Sequence, residues 1–108
     1  MRGTNHEVAE WFVNRTFYEA ENYNRSLFFK GNIIWSYGEH FPIAMRLLDG
    51  WVFNKDRYSV TTSTHQGIIR RLLSGKVIEV DTEKLKELIN EYNAGKISRI
   101  KDVIAFEL

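Results

Sequence analysis

Cysteine is missing altogether from this chain of 108 residues, and proline occurs once, at Pro42. Without cysteine there is no disulfide framework, no thiolate metal site and no cysteine nucleophile. No apolar run reaches the roughly 20 residues needed to span a bilayer, so no membrane partner is expected. The opening residues, Met1 to His6, lack the apolar stretch of a secretory signal, which points to a cytoplasmic protein. His6, His40 and His65 have no paired ligand spacing and the acidic residues scatter, so no metal is expected. GxGxxG and GxxxxGK loops do not occur, and no cofactor is implied. No repeat and no Pro/Gly/Ser-rich linker divides the chain, so residues 1–108 read as one domain.

What is present suits a folded domain. Hydrophobic residues make up 44% of the chain and charged residues 27%, a balance typical of globular proteins. A domain of this size buries roughly two thirds of its unfolded surface, enough for a core without metal or disulfide support. The net charge of +1 is unevenly spread: residues 1–24 and 77–108 each carry −2, and residues 25–76 carry +5. A basic middle can form one positive face for an anion or nucleic acid, or simply a solvated surface.

Thr4 and Glu7 form a capping box ahead of Val8, Ala9, Phe12 and Val13, which predicts a first helix over about 5–15. Tyr18 to Arg25 is polar and reads as an irregular connection. Leu27-Phe28-Phe29 and Ile33 to Tyr37 then read as two strands around a turn at Gly31. Ile43 to Leu48 and Trp51 to Phe53 form a second hairpin. Asp49-Gly50 between them would supply the positive φ angles of a type I′ turn. Tyr58-Ser59-Val60 reads as a short further strand. Thr61 to Thr64 offer caps to a helix reaching Leu73, with His65, Ile68, Ile69 and Leu72 on one face and a stop at Gly75. Val77 to Val80 is a brief strand, and Asp81 caps a helix that Gly95 ends. The tail from Ile97 fits either a helix or an edge strand. The fold class is α+β: a small antiparallel sheet of hairpins over about 27–60. An N-terminal helix and two or three C-terminal helices pack on one side of it.

Several words in the middle of the chain stand out: Phe29-Lys30-Gly31-Asn32, Ser36 to Ala44, Arg46, Asn54, Asp56, Tyr58-Ser59, Thr61-Thr62-Ser63 and His65-Gln66. Over about 28–71, some two fifths of the chain, this pattern resembles a family of small uncharacterised proteins. Its members occur mainly in viruses of bacteria and archaea and in related mobile elements. Trp35 departs from the Tyr expected there, and the flanking helices match nothing in that family. The resemblance is to a domain of unknown function, so it implies a viral or mobile-element setting within a host cell and no activity. Its motif positions become candidate functional residues.

Two constellations carry chemistry. The first, Ser36 to Pro42, leaves a strand through Gly38, whose conformation other residues avoid. The Phe41–Pro42 bond is a candidate cis peptide. Tyr37 and His40 are acid–base candidates there, or close the turn by hydrogen bonding. The second runs from Tyr58 to Gln66, where Ser59, Thr61, Thr62, Ser63 and Thr64 crowd a helix start that favours anions. Arg70 and Arg71 follow within two turns and suit phosphate oxygens, or lie on the surface. His65, in line with Ile69 and Leu72, faces the core or its edge, which favours neutral imidazole. Trp35, Tyr37 and Trp51 are core aromatics or base-stacking groups beside Arg46 or Arg57.

The leading expectation is a small protein that binds nucleic acid or another phosphate-bearing ligand. The residues are Arg46, Arg57, Tyr58, Ser59, Thr61, Thr62, Ser63, Arg70 and Arg71. A metal-independent phosphodiesterase, with His40 and His65 as acid and base and Tyr37 beside them, is the alternative. A third reading is an interaction protein acting on a host factor. Small sheets with open edges often pair, so a homodimer is also expected.

Overall fold

The computed structural model describes residues 1–107, and in it seven strands line up in chain order across one sheet. The strands are β1 (Arg2–Gly3), β2 (Glu19–Asn22), β3 (Leu27–Lys30), β4 (Ile33–Ser36), β5 (Pro42–Leu47), β6 (Gly50–Asn54) and β7 (Val77–Val80). The helices are α1 (Asn5–Asn14), α2 (Val60–Leu72), α3 (Thr82–Asn93) and α4 (Ile100–Glu107). Strands β2 to β6 form an antiparallel meander. β1 joins β2 and β7 joins β6 in parallel, through α1 and α2 respectively. Both crossovers step the same way between strands of the same direction, so a common hand puts both helices on one face. They do share that face: Val8, Ala9 and Phe12 of α1 pack with Ile68 and Ile69 of α2 over Leu27, Phe29, Ile34 and Phe53.

The α+β class holds, with a larger sheet than the two hairpins implied, and with helices on two faces instead of one. Leu85 and Leu88 of α3, with Ile100 and Val103 of α4, cover Met45, Leu47, Val52 and Val80 from the other side. The reason is legible in the strands. Ile33-Ile34-Trp35, Ile43-Ala44-Met45 and Trp51-Val52-Phe53 are apolar at every position and buried at every position. A strand covered on one side alternates; one covered on both does not.

Other expectations are corrected locally. Residues 18–25 contain β2, whose polar sequence Glu-Ala-Glu-Asn carries no strand signal of its own. Its pairing with Phe28 to Lys30 makes it a strand. Tyr58 to Val60 is not a strand, because Ser59 caps α2 and Val60 is its first residue. The tail is helical. The Phe41–Pro42 bond is trans, and Pro42 opens β5, where a strand tolerates a missing N–H. No positive φ occurs from Leu47 to Trp51, so the β5–β6 turn is not of the primed type. The capping box at Thr4 and Glu7, the positive φ of Gly38 and the cap by Asp81 are all present.

Candidate functional site

One end of the sheet gathers most of the motif. The β4–β5 turn carries Tyr37 at φ 55° and Gly38 at φ 87°, and the Tyr37 N–H donates to Ser26 O at 2.9 Å. Opposite it, residues 55–59 lead from β6 into α2. Asn54 pins the two together: its side-chain amide donates to Pro42 O (2.8 Å) and Thr82 Oγ1 (3.0 Å), while its Oδ1 accepts from Asp56 N–H (2.9 Å). Gln66 reaches from α2 to donate to the carbonyls of Asn54 and Asp56. Asp56 in turn accepts from Thr82 N–H at 2.8 Å, a bond that holds its carboxyl below the usual range.

Between turn and loop lies a cavity of about 370 Å³ lined by Ser36, Tyr37, His40, Asp56, Arg57 and Tyr58, among others. A shallower hollow continues from it over the start of α2, sharing Arg57 and Tyr58 and adding Ser59, Ser63 and Thr64. Arg57 has no carboxylate partner among the described residues, and Tyr37, His40, Arg57 and Tyr58 are exposed. The side-chain oxygen of Ser59 takes the Thr62 N–H, and Ser63 N–H bonds Ser59 O. The amides of Val60 and Thr61 have no acceptor within the protein among the described residues. Thr61 is exposed, whereas Thr62 is fully buried.

Beneath the cavity runs a chain of hydroxyls: Ser59 Oγ to Thr62 Oγ1 (3.1 Å), Thr62 Oγ1 to Ser36 Oγ (3.0 Å), Ser36 Oγ to His65 Nδ1 (2.9 Å). Each hydroxyl has one proton to give. The order that uses them all runs from Ser59 to His65 and leaves the histidine proton on Nε2. That nitrogen is buried without a partner. Ser36, Thr62 and His65 are all fully buried, so the chain ties the β4 exit to α2.

Burial pulls the His65 pKa below its ordinary value. The unfolded chain therefore takes up a proton near pH 6.5, and the folded one only at lower pH. Between those values the unfolded state binds more protons, so stability is complete above that window and falls as pH drops through it. The loss should approach about 1.4 kcal/mol per pH unit. Urea unfolding from pH 7.5 to 5 should show this decline, and His65→Gln should flatten it. An identical slope in both proteins would exclude His65 as its source.

Comparison with family models, curated proteins and solved structures gives no match.

Of the candidate residues, the fold brings together Tyr37, His40, Arg57, Tyr58, Ser59 and Ser63. Arg46 stands apart: its guanidinium donates to Phe12 O and Val13 O at the end of α1 and lies 4.4 Å over the Trp51 ring. Arg70 pairs with Glu79 at 3.2 Å. Arg70 and Arg71 occupy the last turn of α2, about 16 Å along the axis from its capped start. Arg70, paired with Glu79, is thus drawn away from the hydroxyl cluster, whereas the Arg71 guanidinium reaches back along the helix to Gly67. The two histidines do not share the cavity, since His40 lines it and His65 is sealed below. Trp35 and Trp51 are buried. The motif positions Asn54, Asp56 and Gln66 carried no assigned role, and here each holds a backbone group of the cleft wall. Sequence reasoning passed over Thr82, whose hydroxyl accepts from Asn54.

Two other grooves, of about 620 and 460 Å³, lie along α3 and share Tyr18, Lys30 and Ile33. The first holds Arg15 and Lys30 and the second Lys30, Glu39 and Lys86; motif positions such as Lys30 line them, but none of the residues assigned to acid–base chemistry or phosphate binding does.

Proposed function

We propose that this protein binds a phosphate-bearing ligand, nucleic acid foremost, in the cleft between the 37–41 turn and the 55–59 loop. The observation that supports it is the meeting of an unpaired Arg57, His40 and two exposed tyrosines in one cavity beside the capped start of α2. Arginine presents a fork of donors to phosphate oxygens, and a ring nitrogen of His40 can donate beside it. The carboxylate in the cavity, Asp56, is already engaged by the Thr82 amide, which lessens its repulsion of an anion. The viral or mobile-element setting implied by residues 28–71 is part of the same proposal. Catalysis by His40 and His65 is less favoured, because the sealed imidazole cannot touch a ligand that His40 touches.

Affinity for labelled DNA or RNA at low salt, measured by fluorescence anisotropy, tests this reading. Binding should weaken steeply with salt as counterions leave the phosphates. Arg57→Ala should weaken binding and lower the log–log salt slope by about one. Absence of binding to every nucleic acid at low salt would remove the proposal.

A further inference from the structure

Tyr37 and Tyr58 line the same cavity from different walls, one from the β4–β5 turn and the other from the loop before α2. Both are well exposed, at 49% and 67%. Each is nevertheless backed by a buried ring. His65 lies 6.5 Å behind Tyr37, tilted by 35°, and Phe41 lies 5.5 Å behind Tyr58, tilted by 32°. His65 is itself held by Ser36, and Phe41 by its place in the core. The two phenol rings are thus propped from behind and wet in front. Exposed aromatic groups fixed in this way form a stacking platform ready for a flat partner.

We propose that the cleft takes one nucleobase against these two rings, and that the ligand is therefore an unpaired nucleotide. This rests on the phosphate-binding reading above and narrows it. A base within a duplex is stacked on its neighbours and cannot enter a cleft without being extruded. The cavity, about 370 Å³, is of the size that encloses one small ligand. Arg57 and Tyr58 belong to both the cavity and the hollow over Ser59 and Ser63. A phosphate attached to the bound nucleotide thus lies towards the first turn of α2. A free mononucleotide and an unpaired position in a strand offer the same chemistry.

The test compares four probes by anisotropy or by competition: a single strand, its duplex, the same strand with abasic sugars, and a free mononucleotide. The variants are Tyr37→Leu and Tyr58→Leu, which remove a ring, and Tyr37→Phe and Tyr58→Phe, which keep one. Both sites are exposed, and unchanged thermal unfolding confirms that the variants fold. The single strand should bind at least about tenfold more tightly than the duplex or the abasic strand. Each Leu variant should lose about tenfold, and each Phe variant should retain most of the affinity. A mononucleotide that competes fully, with the same tyrosine dependence, supports the proposal and identifies the free nucleotide as the source. One that competes weakly, with the strand still tyrosine-dependent, supports it with the strand as source. Equal binding of strand, duplex and abasic strand, unaffected by the Leu variants but weakened by Arg57→Ala, overturns base stacking and leaves phosphate binding standing. No binding of any probe overturns both.

Discussion

Gly50→Val is expected to lower stability by about 3 kcal/mol and Tm by more than about 10 °C. Gly50 begins β6, between β5 and β7. A Cβ placed on it would lie 2.6 Å from the backbone oxygen of Lys76 and 2.9 Å from Ile100 Cδ1. The Lys76 oxygen is the acceptor for Trp51 N–H at 2.9 Å, so a side chain here pushes apart the start of the β6–β7 pairing. The Ile100 side chain can turn away, but the backbone oxygen cannot. The glycine is needed for room, since its φ is not positive. Gly50→Asn separates the two explanations. Asn tolerates a left-handed turn well, yet fills this contact more than Ala does. Thermal unfolding should therefore rank Ala above Asn, with Val also below Ala. An Asn variant as stable as the unaltered protein would overturn the close-approach account.

Arg46→Ala should cost about 3 kcal/mol and leave ligand affinity at the cleft unchanged. The guanidinium satisfies two carbonyls in the last turn of α1, a helix with no basic residue of its own there. It also lies over Trp51 and Phe12, at 4.4 and 5.5 Å. Hydrogen bonds from a charged donor contribute about 1.5–3 kcal/mol each, and a partly desolvated cation over a ring adds about 1. Burial, with Arg15 nearby, brings its pKa down to about 10, so it stays charged at neutral pH. Arg46→Lys should recover part of the loss, because an ammonium supplies charge without the fork. Urea unfolding of both variants, beside their affinity for a single strand, checks this. A stable Arg46→Ala protein that binds weakly would return Arg46 to the ligand.

The same two residues show where reading along the chain stops. Local signals were legible because they act over a few residues. Thr4 and Glu7 cap α1, Asp81 caps α3, and Gly38 takes the positive φ that side chains rarely adopt. The apolar runs of β4, β5 and β6 carried the strands, and the spacing of Ile68, Ile69 and Leu72 carried a helix face. The polar words from Ser36 to Gln66 also fall around one cleft. Asp49-Gly50 marked a turn correctly for a reason that proved different: Asp49 Oδ1 accepts from Ile100 N–H at the start of α4, and Gly50 admits Lys76.

Contacts between distant segments decided the rest. β2 is a strand only through its pairing with β3, and the sheet is covered on both faces only because α3 and α4 return beneath it. Arg46 and Arg57 are the same residue type in the same basic stretch. One is drawn onto a helix end by the carbonyls and rings beside it, and the other is left facing solvent. Arg70 is close in sequence to the hydroxyl cluster, but a helix rises about 1.5 Å per residue, which carries it to the far end, where Glu79 pairs with it. His40 and His65 have equal standing as sequence letters. Burial and the Ser36 hydroxyl make one a neutral strut, while the turn holds the other at the rim. Local chemistry determined the elements of this protein. Long-range packing, through burial and the satisfaction of buried polar groups, decided which side chains remained available to a ligand.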